Sequence, residues 1–158
     1  LPGLYQVMAD APQLLDTYLY THEAFSSTSF NDEELTVVWQ AINVEHECHY
    51  CVPAHTGIAH SMNVDAAISE ALRNETPLAN PKLEALRTFT LALVRGRGNV
   101  SQADYEAFYS VGYSSKQVLE IILGLSQKIL SNYTNHVAQT TVDPAFAPFA
   151  WSKTEKAA

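Results

Sequence analysis

Four times along the chain a helix-capping residue stands just before an apolar run of helical period, and nowhere do apolar residues alternate with period 2 for long enough to make a strand. That pattern decides the fold class. In SFNDEELTVVWQAIN, Asn31 is an N-cap with Glu34 three residues on, a capping-box spacing, and Leu35, Val38 and Ile42 form the apolar stripe behind it. NPKLEALRTFTLALVRGRG offers Asn80 as cap, Pro81 at the first helical position, Leu83, Leu86, Thr90 and Leu93 facing inward, and Gly96 as a stop. Ser101 caps SQADYEAFYSVG, which ends at Gly112, and Ser114 with Gln117 forms a second capping box. That box opens the longest helix, with Val118, Ile122, Leu125 and Ile129 on one stripe. APQLLDTYLYTHEAF, with Pro12 in a first turn and Leu15, Tyr18 and Leu19 close together, and NVDAAISEALRN add two more helices. With a helix at the cysteine stretch described below, the pattern predicts an all-α, single-domain helical bundle of about six to seven helices. Its core is expected in residues 31–140, and residues 141–158, with Pro144 and Pro148, are expected to form an irregular tail.

A chain of 158 residues that is 47% hydrophobic can bury one proper core and is too short to suggest two. Its formal charge of −8, without a basic run, argues against a nucleic-acid surface, because such binding depends on neutralising phosphates. No apolar run approaches the ~18 residues that a membrane span needs, and the start lacks a basic segment followed by an apolar one. Two cysteines do not make a disulfide scaffold either. The expectation is a cytoplasmic protein with no membrane or nucleic-acid partner and no cofactor.

Chemistry concentrates in EHECHYCVPAH, residues Glu45 to His55, which holds both cysteines, Cys48 and Cys51, and places His55 four residues after the second. Proline is tolerated in a helix only within the first turn, so Pro53 sets the helix start near Tyr50 or slightly later. Cysteines at a helix N-terminus meet the positive end of the dipole and free N–H groups, which favour the thiolate. With Cys51 in the helix, His55 at i+4 lies on the same face, able to exchange a proton with its sulfur. Cys48, three residues earlier, can close on Cys51 as a disulfide. Two other readings exist. Free cysteines also serve as small buried hydrophobes. A zinc site could use Cys48, Cys51 and two of His46, His49, His55 and His60, but structural zinc usually draws ligand pairs from two separated segments, and no second CxxC or HxxxH is present. The redox dithiol is favoured over zinc.

NVEHECHYCVPAHTGIAH is similar to the signature of the alkylhydroperoxidase D-like group within the carboxymuconolactone decarboxylase superfamily, most closely over residues 43–60. A weaker resemblance runs over most of the chain, including VGYSSKQVLEIILG. The resemblance implies a helical fold of the alkylhydroperoxidase D-like type that assembles into homo-oligomers. It also implies a thiol-dependent hydroperoxide reductase, with Cys51 peroxidatic, Cys48 resolving and His55 the proton partner. A hydroperoxide is then the substrate, and an external dithiol, lipoyl or thioredoxin-like, is the reductant. The decarboxylase branch lacks the cysteine pair, which argues against a muconolactone reaction. The group also carries a relay glutamate, for which Glu45 is favoured narrowly over Glu34. Glu34 serves equally as a cap and Glu45 as a solvated loop residue. Tyr50 is expected to pack, with its hydroxyl on the pocket, and His46 and His49 to be exposed. Tyr133, Asn135 and His136 in NYTNH are candidates to reach the site, although a polar helix end explains them too. The alternatives to an enzyme are a redox-sensing or structural helical oligomer with little turnover, or a zinc-binding module.

Overall fold

In the computed structural model, which describes residues 1–153, the expected caps close their helices; residues 154–158, the end of the expected tail, lie outside the described residues. Asn31 and Glu34 form a reciprocal capping box, as do Ser114 and Gln117, while the side chains of Asn80 and Ser101 accept from the backbone N–H groups of the turns they open. The helices are α1 (Gly3–Met8), α2 (Pro12–Ser26), α3 (Asp32–Glu45), α4 (Cys51–Ser61), α5 (Ala66–Arg73), α6 (Pro81–Arg95), α7 (Gln102–Ser110) and α8 (Ser115–Ala138), followed by a 3-10 helix, Pro144–Phe149. Nine helical segments among the described residues exceed the six to seven expected. The two additions are α1 and the 3-10 helix, each six residues long, too short for a periodic pattern and held by what they pack against.

Helix α3 is the centre. Every residue from Glu34 to Val44 is buried, because α4, α5, α6 and α8 surround it. The main core gathers Phe25, Trp39, Ile42, Leu86, Phe89, Phe108 and Ile121 around it, with Phe89 and Tyr113 stacked on either side of Phe108 at 4.2 and 4.6 Å between ring centroids. A second, smaller cluster is built from Leu4, Met8, Tyr18, Cys48, Tyr50, Cys51 and Ala54. The cysteines thus lie inside an apolar cluster of their own, under α1 and α2.

Helix α8 turns a different face inward from the one expected. Ile122 is 44% and Ile129 36% exposed, while Val118, Ile121, Gly124, Gln127, Lys128, Ser131, Asn132 and Asn135 are buried. Both faces of α8 carry apolar residues, and the inward face of its second half carries Lys128, Asn132 and Asn135, which meet His55, Asn43 and Cys51 there. Gly124 lets α8 approach α2, since a Cβ there would stand 2.6 Å from the Phe25 ring. The tail is not irregular throughout: its 3-10 helix packs on α4 at Gly57, where a Cβ would meet Phe146 at 2.7 Å. Arg73 holds the end of this helix by donating to the carbonyls of Phe149 and Ala150. Among the described residues no helix is long and apolar enough to cross a membrane.

Candidate active site

The chain leaves α3 through Glu47, whose φ of 55° turns the backbone, and the Cys48 N–H donates to the Asn43 carbonyl at 2.9 Å. Helix α4 then begins at Cys51 itself, with Pro53 in its first turn, where the missing N–H costs nothing. No side chain of the N-cap Tyr50 satisfies the new helix. Instead the Cys51 N–H donates to Cys48 Sγ at 3.2 Å, so one cysteine caps the helix that carries the other. Both are free and buried, Cys48 completely and Cys51 at 2% exposure.

Amide side chains hold this start in place. Asn43 on α3 donates to the Cys51 carbonyl and to Gln40, and Gln40 donates to the Val52 carbonyl and the Thr56 hydroxyl. From α8, Asn132 donates to Asn43 at 2.9 Å, and Asn135 Nδ2 donates to Cys51 Sγ at 3.3 Å. Burial pushes the Cys51 thiol up, yet the hydrogen bond from Cys48, the charge of Lys128 and the amides of Asn135 and Asn132 together bring it down to about 5. Cys48 moves the opposite way, raised by donating its thiol proton to Cys51 and by burial. The two thiols therefore shift in opposite directions, Cys51 toward the thiolate and Cys48 away from it.

His55 lies on α4 one turn after Cys51, buried, with its ring 4.8 Å from that of Trp39. It makes no hydrogen bond to the Cys51 sulfur: its Nε2 lies 2.9 Å from Lys128 Nζ, and its Nδ1 has no partner. Burial, then the charges of Lys128 and His22, hold its pKa well below the histidine range, so it is neutral. A cavity of about 130 Å³ opens on Cys51, His55 and Lys128, walled by Leu4, Tyr5, Tyr18, Tyr50 and Phe146. The Tyr50 hydroxyl donates to Asp143 and accepts from the Leu4 N–H, which ties the tail and α1 to the cysteine turn.

The two candidate glutamates are not brought to the sulfurs. Glu34 accepts from the Asn31 N–H and the Tyr113 hydroxyl at the far end of α3, separated from Glu45 by about 16 Å of helix. Glu45 takes two hydrogen bonds from Arg95, both 2.8 Å, and lines a separate cavity with Arg87 and Arg95. His46 and His49, expected exposed, are half-buried, because Asn132 and the Thr140 carbonyl bind them at 2.9 Å. Of the NYTNH candidates, Asn135 reaches Cys51, whereas Tyr133 packs on His46 and His136 bonds the Glu47 carbonyl.

No family model matches the chain, and no curated protein matches its sequence. Solved structures do. The crystal structure of an alkylhydroperoxidase AhpD core, an uncharacterized peroxidase-related protein from Ralstonia eutropha JMP134, matches 92% of this chain and 79% of its own, with a TM-score of 0.83 at 19% identity. The fold is that of the alkylhydroperoxidase core. An uncharacterized peroxidase-related protein from Silicibacter sp. TM1040 shares it, with a TM-score of 0.79 at 15% identity over 92% of this chain and 78% of the other.

Within this alkylhydroperoxidase fold, Lys128, Asn132 and Gln40 belong to the site without standing in the signature stretch, and Asn43, its first residue, joins them unsuspected. One signal for the α8 pair existed in the sequence. Lys128, Asn132 and Asn135 recur at spacings of four and three, a polar stripe along one side of a long helix. A polar stripe ordinarily faces water, so the pattern alone does not distinguish a solvated side from a buried site.

Proposed function

We propose that the protein is a thiol-dependent hydroperoxide reductase in which Cys51 is the attacking thiolate, Cys48 the resolving thiol and the His55 side of the cavity the source of the proton. The observation that carries the reading is the asymmetry of the pair: Cys51, at a helix start, faces a cavity and accepts a hydrogen bond from Asn135, while Cys48, fully buried beside it, does not line that cavity. The direction of their pKa shifts, Cys51 down and Cys48 up, agrees. The fold shared with structures described as peroxidase-related supports it. The Cys51 thiolate attacks the terminal oxygen of ROOH, the O–O bond breaks, and protonation of the departing RO⁻ gives ROH and a Cys51 sulfenic acid. The Cys48 thiol then attacks the Cys51 sulfur, and water leaves as the disulfide forms. An external dithiol, lipoyl or thioredoxin-like, restores both cysteines by exchange through a mixed disulfide.

The zinc alternative lacks a donor set: among the described residues no group of three or more His, Cys, Asp or Glu is placed to hold a metal ion. The exposed apolar residues along α8 support a homo-oligomer as the working form. Cys48→Ser is expected to consume about one equivalent of peroxide and stop at a trappable sulfenic acid on Cys51, and Cys51→Ser to be inert. In the wild type, mass mapping after mild peroxide treatment should find a Cys48 to Cys51 disulfide. Two free thiols after that treatment, or a sulfenic acid on Cys48 formed at the wild-type rate in Cys51→Ser, would remove the reading. Steady consumption of peroxide with a dithiol separates an enzyme from a sensor that turns over little.

A further inference from the structure

The geometry points to Lys128 as the counter-ion of the Cys51 thiolate and the donor of the proton that the leaving oxygen takes, so that the site passes through its redox cycle with no net change of charge. This rests on the dithiol reading above and adds to it a residue from a helix far from the motif.

Lys128 lies on α8 with 1% exposure, and an ammonium removed from water is costly unless an anion stands beside it. Among the described residues no carboxylate pairs with it. The titratable groups that face it or line its cavity are Cys51 and His55 from α4, Cys48 and Tyr50 from the turn before α4, Tyr18 and His22 from α2, and Tyr5 from α1. Helix α3 contributes only uncharged Trp39, Gln40 and Asn43 nearby. The tyrosines and histidines among them carry no negative charge at neutral pH, and Cys48, whose thiol is raised, keeps its proton in the proposed state, which leaves Cys51. His55 cannot supply the balance, because an ammonium only donates and therefore uses the imidazole Nε2 as acceptor, 2.9 Å away. His55 thus positions the lysine and stays neutral. The one anion available to Lys128 is the thiolate, and Cys51 and Cys48 are the groups whose charge favours its protonated form against the effect of burial.

The proton count then closes inside the site. In the reduced protein the three groups are Cys51–S⁻, Cys48–SH and Lys128–NH₃⁺. Attack on ROOH forms the S–O bond and breaks the O–O bond; Lys128 gives its proton to RO⁻, leaving Cys51–SOH, Lys128–NH₂ and ROH. Cys48–SH then displaces water and leaves the disulfide beside a neutral amine, which needs no counter-ion. Exchange with an external dithiol brings in two hydrogens: one remains on Cys48, and the other returns to Lys128 as Cys51 leaves as thiolate. The site is neutral in both states, which is what lets it be buried in both.

Alkylation of the reduced protein followed across pH reads the ionisation of Cys51 without any peroxide, so it is independent of the peroxidase reading. In Lys128→Met the inflection is expected to rise by ~1–3 pH units, the effect of removing an opposite charge from a thiolate's surroundings. Lys128→Arg should keep a low inflection yet slow single-turnover oxidation by a hydroperoxide ~10²-fold, because a guanidinium holds its proton. An unmoved inflection in Lys128→Met overturns the counter-ion, and wild-type oxidation in Lys128→Arg overturns the donor. Should either variant not fold, NMR of the wild type with heavy nitrogen at the lysine ε position decides: an ammonium at Lys128 in the reduced protein and an amine in the disulfide form supports the assignment, and the same state in both overturns it. A shifted inflection in a protein that consumes no peroxide would keep the ion pair and remove the peroxidase.

Discussion

His55 is buried with its Nε2 committed to Lys128, so protonating it would set a second cation against the first. In the unfolded chain the same ring takes a proton near its ordinary value of 6.5; in the fold that value falls well below, from burial first and then from Lys128 and His22. His22, half-buried and stacked on Trp39, is lowered for the same reasons, burial and then Lys128. Because the unfolded state binds protons that the folded state refuses, this contribution to stability is complete above pH 6.5 and is lost as pH falls from there toward the folded values. Unfolding by urea between about pH 7.5 and pH 5 should show stability declining toward acid, and His55→Gln should flatten the slope. Equal slopes in the two proteins would place the acid sensitivity elsewhere.

The two candidate relay carboxylates lie toward opposite ends of helix α3, and both are held by structural partners. Glu34 closes the capping box and accepts from the buried Tyr113 hydroxyl, so Glu34→Ala removes a cap contact and strands a polar group, at a cost of about 1–3 kcal/mol. Glu45 is held below the carboxylate range by the hydrogen bonds of Arg95, against the effect of burial. That ion pair lies near the surface, where such pairs contribute about 0–1 kcal/mol, so Glu45→Gln should change stability little. Neither substitution is expected to move the pH inflection of Cys51 alkylation, since neither carboxylate bonds a sulfur or Lys128. A shift with Glu45→Gln would restore it as a relay group. Helix α8 is organised otherwise: its first half packs apolar residues and Gly124 against α2 and α3, and its second half supplies polar side chains to the cysteines.

At the scale of the whole molecule, the face of α8 turned away from the site leaves Leu119, Ile122, Tyr133 and Val137 exposed, with Val137 at 88%. Apolar residues repeated along one side of a 24-residue helix make a stripe that a second copy of the chain can cover. Sedimentation at micromolar concentration is therefore expected to show a homo-oligomer, and Ile122→Glu with Val137→Glu to reduce it to monomer with helicity unchanged. A wild-type monomer would show that this face is left to solvent.

Local rules were written in the sequence and held. Caps at Asn31, Asn80, Ser101 and Ser114 and the start of α4 beside Pro53 depend on groups within one turn of each other, so neighbouring residues suffice to read them. For the same reason the placement of Cys51 at a helix N-terminus, with Cys48 and His55 near it, was legible. The tertiary structure alone decided which face of α8 turns inward. It thereby decided that Lys128, 73 residues from His55, and Asn135, 84 residues from Cys51, meet the dithiol. It also decided that Glu34 and Glu45 are engaged elsewhere. Helical period can mark a polar stripe and an apolar stripe on the same helix, but which one is buried depends on the partners that other segments bring to it. Here His55, Asn43 and Cys51, from segments far away in sequence, meet Lys128, Asn132 and Asn135, and only the packed chain brings them together.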